Sequence, residues 1–186
     1  EHLLSLAASW KQRLSKPVVL FASSREGEEV QLLEQLESQP QAMQAVQWLI
    51  VPRHPQRFES VAQLIADAGF AVSRRSQWPA QPPALANAIW LGDSLGEMPL
   101  YYAMSHLALM GGSFEPLGGQ NLIESLACGT PVIRGPHTFN FSQASELAVQ
   151  AGAAIRSADM VQAVQDALAW VQSGADLEAA RAKAHD

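Results

Sequence analysis

The sequence predicts an α/β domain built on a Rossmann-like, doubly wound parallel sheet of about six strands. Strand-like apolar runs alternate with helix-like amphipathic stretches along the whole chain, which is typical of a parallel sheet covered by helices. The 186 residues are the length of one domain, so residues 1–186 are expected to fold as a single unit. Hydrophobic residues make up 48% and charged residues 16%, a composition that can bury a continuous core.

The first half of the chain has the clearest strand and helix patterns. The run PVVLFA at residues 17–22 is short, apolar and rich in β-branched side chains, so it predicts a strand buried on both faces. Residues 26–37 carry apolar side chains at helical spacing, and three prolines make residues 77–87 a loop. The remaining elements predicted in this half are a helix at 3–14, strands at 46–51 and 70–73, and a helix at 57–68 that ends at Gly69.

The second half continues the alternation, with glycine-rich turns between the elements. Its apolar runs are too short for helices and predict strands, while its longer amphipathic stretches predict helices that cover the sheet. The predicted strands are 89–91, 107–110, 131–133 and 153–155, and the predicted helices are 97–105, 122–128, 140–150, 158–172 and 176–185.

Charge and cysteine content narrow the class of protein. Twelve Lys and Arg against eighteen Asp and Glu give a net charge of −6 without any basic block, so no nucleic-acid partner is expected. The single cysteine, Cys128, cannot form an internal disulfide, and the scattered histidines lack metal-ligand spacing, so no metal site is expected. Apolar runs are shorter than the roughly twenty residues that cross a bilayer, so the chain is expected to be soluble. It starts Glu1-His2-Leu3, and we expect it to begin inside a longer protein.

Small polar residues, together with an Arg or a His, collect just after the predicted strands. In a doubly wound sheet these positions share the carboxyl edge, where ligands bind. A turn that leads into a helix offers backbone N–H groups and the positive end of the helix dipole to an anion such as phosphate. Gly, Ser and Pro also form turns without any ligand, but Arg53, His54 and His137 are not needed for turning. The five turns are 23–28, 52–55, 92–97, 111–113 and 135–140.

The segment at residues 118–124, GGQNLIE, has two interpretations. A helix that starts near Asn121 would place Glu124 on its first turn beside a ligand, where a carboxylate can accept two hydroxyl groups of a ribose. Asn121 and Glu124 are also spaced as a capping box, which requires no ligand. The dinucleotide-binding and P-loop signatures are absent from the sequence, and so is the G-x-S-x-G elbow of hydrolases. The spacing alone leaves both interpretations open.

Several motifs beside the predicted strands are specific enough to compare with known families. They are ASS at 22–24 with EGEE at 26–29, PRHP at 52–55 with RF at 57–58, RRS at 74–76, GDSLGE at 92–97, GGS at 111–113, GGQN at 118–121 with Glu124, and GPHTFNF at 135–141. Together they resemble the C-terminal half of the bacterial Kdo transferases, which take 3-deoxy-D-manno-octulosonic acid (Kdo) from CMP-Kdo. The resemblance covers about residues 17–156, and PRHP and GPHTFNF are its most specific parts.

The resemblance implies the two-domain GT-B glycosyltransferase fold, in which the C-terminal half binds the sugar nucleotide and the N-terminal half binds the acceptor. Residues 1–186 are then the CMP-Kdo-binding domain, and the acceptor domain lies outside this sequence. The whole enzyme is expected to transfer Kdo to a lipid A precursor, lipid IVA, in lipopolysaccharide biosynthesis at the cytoplasmic face of the inner membrane. The family's general base and membrane contact belong to the N-terminal half, so this chain alone is expected to carry no catalytic residue and no metal or other cofactor, and to be inactive.

The resemblance also implies which residues contact CMP. Glu124 is expected on the ribose and Arg53 near the phosphate or the base, which agrees with the preference of a carboxylate for a diol and of a guanidinium for phosphate. The expected CMP contacts are Pro52, Arg53, Leu95, Gly96, Glu97, Asn121, Leu122, Ile123 and Glu124.

The chain departs from the family pattern at Ser24-Arg25, where Thr-His is usual, and at Gln120 and Leu122, where the family has His and Pro. We therefore assign no role to Arg25 or Gln120. Two other classes stay open from the residues themselves. The run EPLG at 115–118 before Glu124 is similar to the two-glutamate motif of retaining GT-B enzymes that use UDP-sugars, with one extra residue. The other class is a non-catalytic binding domain with a Rossmann-like fold.

Overall fold

The computed structural model describes residues 2–83, 85–119, 122–138 and 140–184, which form a parallel sheet with helices on both faces. The strands are β1 (Val18–Ser24), β2 (Gln47–Pro52), β3 (Ala71–Arg74), β4 (Ala88–Leu91), β5 (Leu107–Met110), β6 (Val132–Arg134) and β7 (Ala154–Arg156). The helices are α1 (His2–Arg13), α2 (Glu28–Ser38), α3 (Pro40–Ala45), α4 (Phe58–Asp67), α5 (Met98–Met104), α6 (Ile123–Ala127), α7 (Ser142–Ala151), α8 (Met160–Gln172) and α9 (Gly174–Ala184), and short 3-10 turns occupy Pro55–Arg57 and Arg75–Gln77.

The strands lie in the order β3-β4-β2-β1-β5-β6-β7, and all neighbouring pairs are parallel. The order reverses at β1, which has β2 on one side and β5 on the other. In such a sheet the loops on either side of the reversal separate and leave a crevice at the carboxyl edge. The topology therefore brings the turns after β1, β2, β4 and β5 to one edge of the sheet.

Alternate side chains of β1 enter two different cores. Val19 and Phe21 pack with the inner faces of α2, α4 and α8. Val18, Leu20 and Ala22 point to the other face of the sheet, where they pack with α1 and α5. All five side chains are fully buried, which explains why this central strand is apolar at consecutive positions instead of alternating with polar ones.

The predicted elements agree with the structure in kind and order, with small shifts at their ends. All seven predicted apolar runs are strands, so the total of about six was slightly low. Helix α3 was not predicted, because its six residues are too few to show a helical period. Cys128, at the C-terminal end of α6, is partly exposed and packs against the core that contains α1 and α5.

His106 joins the amino ends of β1 and β5. Its Nδ1 atom accepts a hydrogen bond from the backbone N–H of Val18 at 3.0 Å, and its own backbone N–H donates to the Val18 carbonyl at 2.8 Å. Burial lowers the pKa of His106 to about 4, and the positive charges of Lys11 and Arg181 act in the same direction. The ring is therefore neutral at pH 7, as an accepting Nδ1 requires.

We expect the fold to lose stability as the pH falls from about 6.5 towards about 4, because the unfolded chain then binds a proton that folded His106 excludes. The loss should be about 1–3 kcal/mol, allowing for the partial exposure of the ring. In His106→Asn, the amide oxygen can accept the same hydrogen bond without titrating. Urea unfolding at about pH 7 and about pH 4.5 should show a smaller pH effect for this variant. An equal pH effect in the two proteins would contradict the role of His106.

Candidate functional site

A cleft of about 400 Å³ opens at the carboxyl edge of the sheet, where the strand order reverses. Its walls come from the carboxyl ends of β1 and β2, from the turns after β2 and β4, from α4 and α5, and from the first turn of α6. The volume lies in the range of sites that hold a small organic molecule. The lining residues are Ser23, Val51, Pro52, Arg53, Pro55, Phe58, Ser94, Leu95, Gly96, Glu97, Met98, Tyr102 and Glu124.

The nine predicted CMP contacts fall into three groups. Leu122 and Ile123 do not line the cleft. Leu122 is only 1% exposed and packs in a small core, and Ile123 is 57% exposed on the surface of α6. Asn121, with the cap predicted for it, lies outside the described residues. The structure brings the other six together in the cleft: Pro52, Arg53, Leu95, Gly96, Glu97 and Glu124.

Arg53 offers the cleft an unpaired positive charge. Its side chain is exposed, and its guanidinium has no hydrogen bond or ion pair with any described residue. Only its backbone N–H is engaged, and it donates to the Ser24 carbonyl at 2.9 Å. Arg57 in the same loop differs, because two of its nitrogens donate to Glu29 at 2.9 Å each. An anionic ligand can therefore engage Arg53 without breaking an existing ion pair.

Glu124 offers the cleft an unpaired negative charge. It lies on the first turn of α6 with its side chain exposed, and its carboxylate has no partner among the described residues. Tyr102 also lines the cleft, and burial raises the pKa of Tyr102, to which the negative charge of Glu124 adds. The phenol therefore keeps its proton at pH 7, while the carboxylate is available to accept hydrogen bonds from a diol.

Hydrogen bonds from the 3-10 turn that follows β3 hold the loop after β4 in place. Arg75 donates hydrogen bonds to both carboxylate oxygens of Glu97, at 3.1 and 3.0 Å, and the Ser94 hydroxyl donates to one of them at 2.6 Å. The Arg75 guanidinium also lies 5.2 Å from the ring centre of Trp10 and 5.9 Å from that of Trp78. These distances place it in cation–π contact with both rings, so three side chains fix its position.

A second contact from the same turn holds Asp93. The backbone N–H and the hydroxyl of Ser76 donate to the two Asp93 carboxylate oxygens at 2.8 and 2.7 Å. With the Glu97 carboxylate already paired, the contact predicted for Glu97 is expected to use its backbone. Leu95 and Gly96 of the loop also line the cleft, and Leu95 is 73% exposed.

The glycine-rich turn after β5 is folded around a buried carboxylate. Glu28, at the start of α2, is 0% exposed and accepts hydrogen bonds from the backbone N–H groups of Arg25, Gly112 and Phe114 at 2.8, 2.8 and 3.0 Å. Burial raises the pKa of Glu28, and the three N–H donors oppose that rise. The expectation that this turn offers its amides to an anionic ligand is therefore wrong at Gly112, whose N–H is already bound.

Glu29 connects the loops after β1 and β2. Its side chain is also fully buried, and it accepts a hydrogen bond from the Ser24 hydroxyl at 2.6 Å together with the two from Arg57. Hydrogen bonding to Glu29 raises the pKa of Arg57, so the guanidinium keeps its charge. Glu28 and Glu29 together tie the turns after β1, β2 and β5 to the first turn of α2.

Two predicted histidines lie outside the cleft lining, and four lining residues were not predicted. His54 and His137 follow strands as expected, but neither lines the cleft. The four residues that line it without having been predicted belong to β2, α4 and α5 and not to turns: Val51, Phe58, Met98 and Tyr102. Their signal in the sequence was ambiguous, because apolar side chains on a helix or a buried strand are expected to face the core.

The described residues contain neither a cluster of metal ligands nor a membrane span. No three His, Cys, Asp or Glu side chains among them are arranged to hold a metal ion. No helix within the described ranges is both long and apolar enough to cross a bilayer.

Comparison with known proteins identifies the family. No protein-family model matches the chain. It is 46% identical over 171 residues to the 3-deoxy-D-manno-octulosonic acid transferase of Bordetella pertussis (90% of this chain, 40% of that protein) and 38% identical over 146 residues to that of Haemophilus influenzae (78% and 33%). Its structure matches the C-terminal CMP-Kdo binding domain of WaaA from Acinetobacter baumannii with a TM-score of 0.89 and 31% identity, over 99% of this chain and 96% of that one. The chain belongs to the Kdo transferase family.

The match to the Kdo transferases covers part of their length. The chain spans about 40% of the Bordetella relative, and the solved structure that it matches end to end is a C-terminal domain. The C-terminal domain of a group 1 glycosyl transferase, LpcC from Francisella tularensis, superposes with a TM-score of 0.64 at 12% identity, which shows the fold alone. The fold is that of the C-terminal domain of GT-B glycosyltransferases, as the motifs predicted.

The substitution Glu28→Gln tests whether the buried carboxylate organises these loops. It should lower the free energy of unfolding by about 2–3 kcal/mol, because an amide NH₂ replaces an oxygen that accepts buried N–H groups. Glu26→Gln, at an exposed carboxylate of the same turn, is the matched control and should change it by less than about 0.5 kcal/mol. Urea denaturation measures both. Equal midpoints for the two variants would refute the organising role of Glu28.

Proposed function

We propose that this chain is the donor-binding domain of a Kdo transferase and binds CMP-Kdo in the cleft at the carboxyl edge of the sheet. Membership of the family and the likeness to a domain described as CMP-Kdo binding support this proposal. The observation that carries it is the presence in one cleft of the Arg53 guanidinium and the Glu124 carboxylate, both without a partner among the described residues. A phosphate and a ribose diol are the groups that these two side chains recognise.

The proposal gives each part of the cleft a role. Arg53 binds the phosphate of CMP, and Glu124 accepts hydrogen bonds from the ribose hydroxyls. Pro52 and the loop 95–97, which line the cleft, contact the nucleotide. By the family resemblance, contacts from Asn121, Leu122 and Ile123 are also proposed, although neither Leu122 nor Ile123 is among the lining residues of the cleft. The cleft volume of about 400 Å³ supports a ligand of nucleotide size.

The whole enzyme is proposed to transfer Kdo from CMP-Kdo to a lipid A precursor. A hydroxyl of the acceptor glucosamine, or of a Kdo residue already attached, forms a bond to the anomeric carbon of the donor while the bond to the CMP oxygen breaks. CMP leaves with the bonding electron pair, and Arg53 stabilises the negative charge on its phosphate. The proton of the attacking hydroxyl goes to a general base. By the family resemblance, that base, the acceptor site and the contact with the inner membrane belong to the N-terminal half.

The isolated chain is expected to bind CMP more tightly than UDP or GDP, and to transfer no Kdo to lipid IVA. Calorimetric titration with the three nucleotides measures the preference, and a radiolabelled acceptor assay measures transfer. A preference for UDP would point instead to a GT-B enzyme that uses a UDP-sugar. No heat of CMP binding at millimolar ligand would refute the proposed function.

Arg53→Ala and Glu124→Gln should each weaken CMP binding about tenfold, which corresponds to about 1.4 kcal/mol for the loss of one charge-assisted contact. Arg156→Ala is the matched control, because it removes the same charge from an exposed position on β7 outside the cleft lining. Titration with cytidine separates the two roles, since only Glu124→Gln should weaken the binding of a ligand without phosphate. CMP affinities equal to that of the Arg156 variant would overturn the site assignment.

A further inference from the structure

Ser23 lines the cleft with a backbone conformation that is rare for its residue type. Its φ angle is +53°, in the left-handed region that favours glycine. The register between β1 and β2 shifts at this point, since Ala22 pairs with Val51 and Ser24 pairs with Pro52. Ser23 is therefore the extra residue of a β-bulge, a feature that re-aims a side chain and recurs next to active sites.

The neighbours of Ser23 hold it in this conformation. The hydroxyl of Ser24 donates to Glu29 at 2.6 Å, and the Ser24 carbonyl accepts the backbone N–H of Arg53 at 2.9 Å. On the side of β5, Gly111 packs on the Ser23 main chain so closely that a Cβ atom at position 111 would lie 2.1 Å from the Ser23 carbonyl oxygen. The surrounding contacts therefore impose the strained φ angle, as they do at many ligand sites.

The Ser23 hydroxyl is unused by the fold. It makes no hydrogen bond with any described residue, whereas the hydroxyls of Ser24 and Ser113 in the adjoining turns are both bound, to Glu29 and to the Met110 carbonyl. A glycine would adopt the same φ angle without strain. The packing of the fold therefore does not require a side chain at position 23. A ligand in the adjoining cleft would explain why a hydroxyl is present there.

We propose that the Ser23 hydroxyl is a ligand-binding group that donates a hydrogen bond to the phosphate of the bound nucleotide. This inference rests on the proposed function. Ser23 lies at the carboxyl end of the central strand β1, whose neighbours are β2, followed by the turn that carries Arg53, and β5. The Arg53 guanidinium supplies charge, and the serine supplies a directed donor from the same edge of the sheet. A phosphate is the part of a nucleotide that can accept from both.

Two substitutions at Ser23 distinguish a ligand contact from a structural role. Ser23→Gly removes the hydroxyl and relieves the strain, whereas Ser23→Ala removes the hydroxyl and keeps the strain. Both variants should bind CMP about tenfold more weakly than the parent, because each loses the same hydrogen bond to a charged group. The melting temperature of Ser23→Gly should equal or exceed that of the parent, while that of Ser23→Ala should not rise.

Asn87→Gly is the matched control. Asn87 is the other non-glycine residue with a positive φ angle among the described residues, at +54°. It lies in the turn before β4 and outside the cleft lining. The glycine substitution relieves the same kind of strain there, and the CMP affinity of this variant should equal that of the parent.

The outcomes separate this inference from the proposed function. Weaker CMP binding in both Ser23 variants, with parental affinity for cytidine, would support a contact to the phosphate. Parental CMP affinity in Ser23→Gly, or a loss confined to Ser23→Ala, would show that the residue acts only through the backbone. An equal loss for cytidine would place the hydroxyl on the nucleoside and overturn the phosphate assignment. If the parent binds no CMP, the proposed function fails and the inference falls with it.

Discussion

Two buried carboxylates at the start of α2 hold together the loops at the carboxyl edge of the sheet, where the cleft opens. Glu28 binds main-chain N–H groups from the turns after β1 and β5, and Glu29 joins Ser24 to Arg57. Moving two carboxylates out of water is costly, and the cost is offset here because each accepts three hydrogen bonds. Gly27, with a φ angle of +91° directly before Glu28, turns the chain so that both side chains point inward.

The charged side chains around the cleft divide into those that build it and those that remain available. Arg57, Arg75 and Glu97 are engaged with protein partners. Arg53 and Glu124 have none among the described residues. A ligand would therefore meet walls that are already fixed, which lowers the entropy lost on binding. A net charge of −6 does not oppose an anionic ligand, because recognition depends on a few local groups.

The sequence predicted the features that depend on a local pattern of residues. It did not predict hydrogen bonds between side chains and turns that are far apart in the chain. The strands were predictable because a sheet covered on both faces needs consecutive apolar residues. Arg53 was predictable because the topology brings turns after strands to one edge. The pairing of Glu97 with Arg75 was not, since the two are 22 positions apart in different turns. The amide of Gly112 looked available for the same reason, because its partner Glu28 is 84 positions away.

The cation–π contacts of Arg75 with Trp10 and Trp78 have a consequence for how the loop after β4 responds to changes elsewhere in the chain. Helix α1 does not line the cleft, yet its Trp10 supports the arginine that fixes Glu97. A smaller side chain at position 10 would remove one of the contacts that position Arg75. The loop after β4 would then be held less firmly, although Trp10 is not part of it. The shape of the cleft therefore depends on the buried face of α1, where a tryptophan that reads as core packing also sets the position of a binding loop.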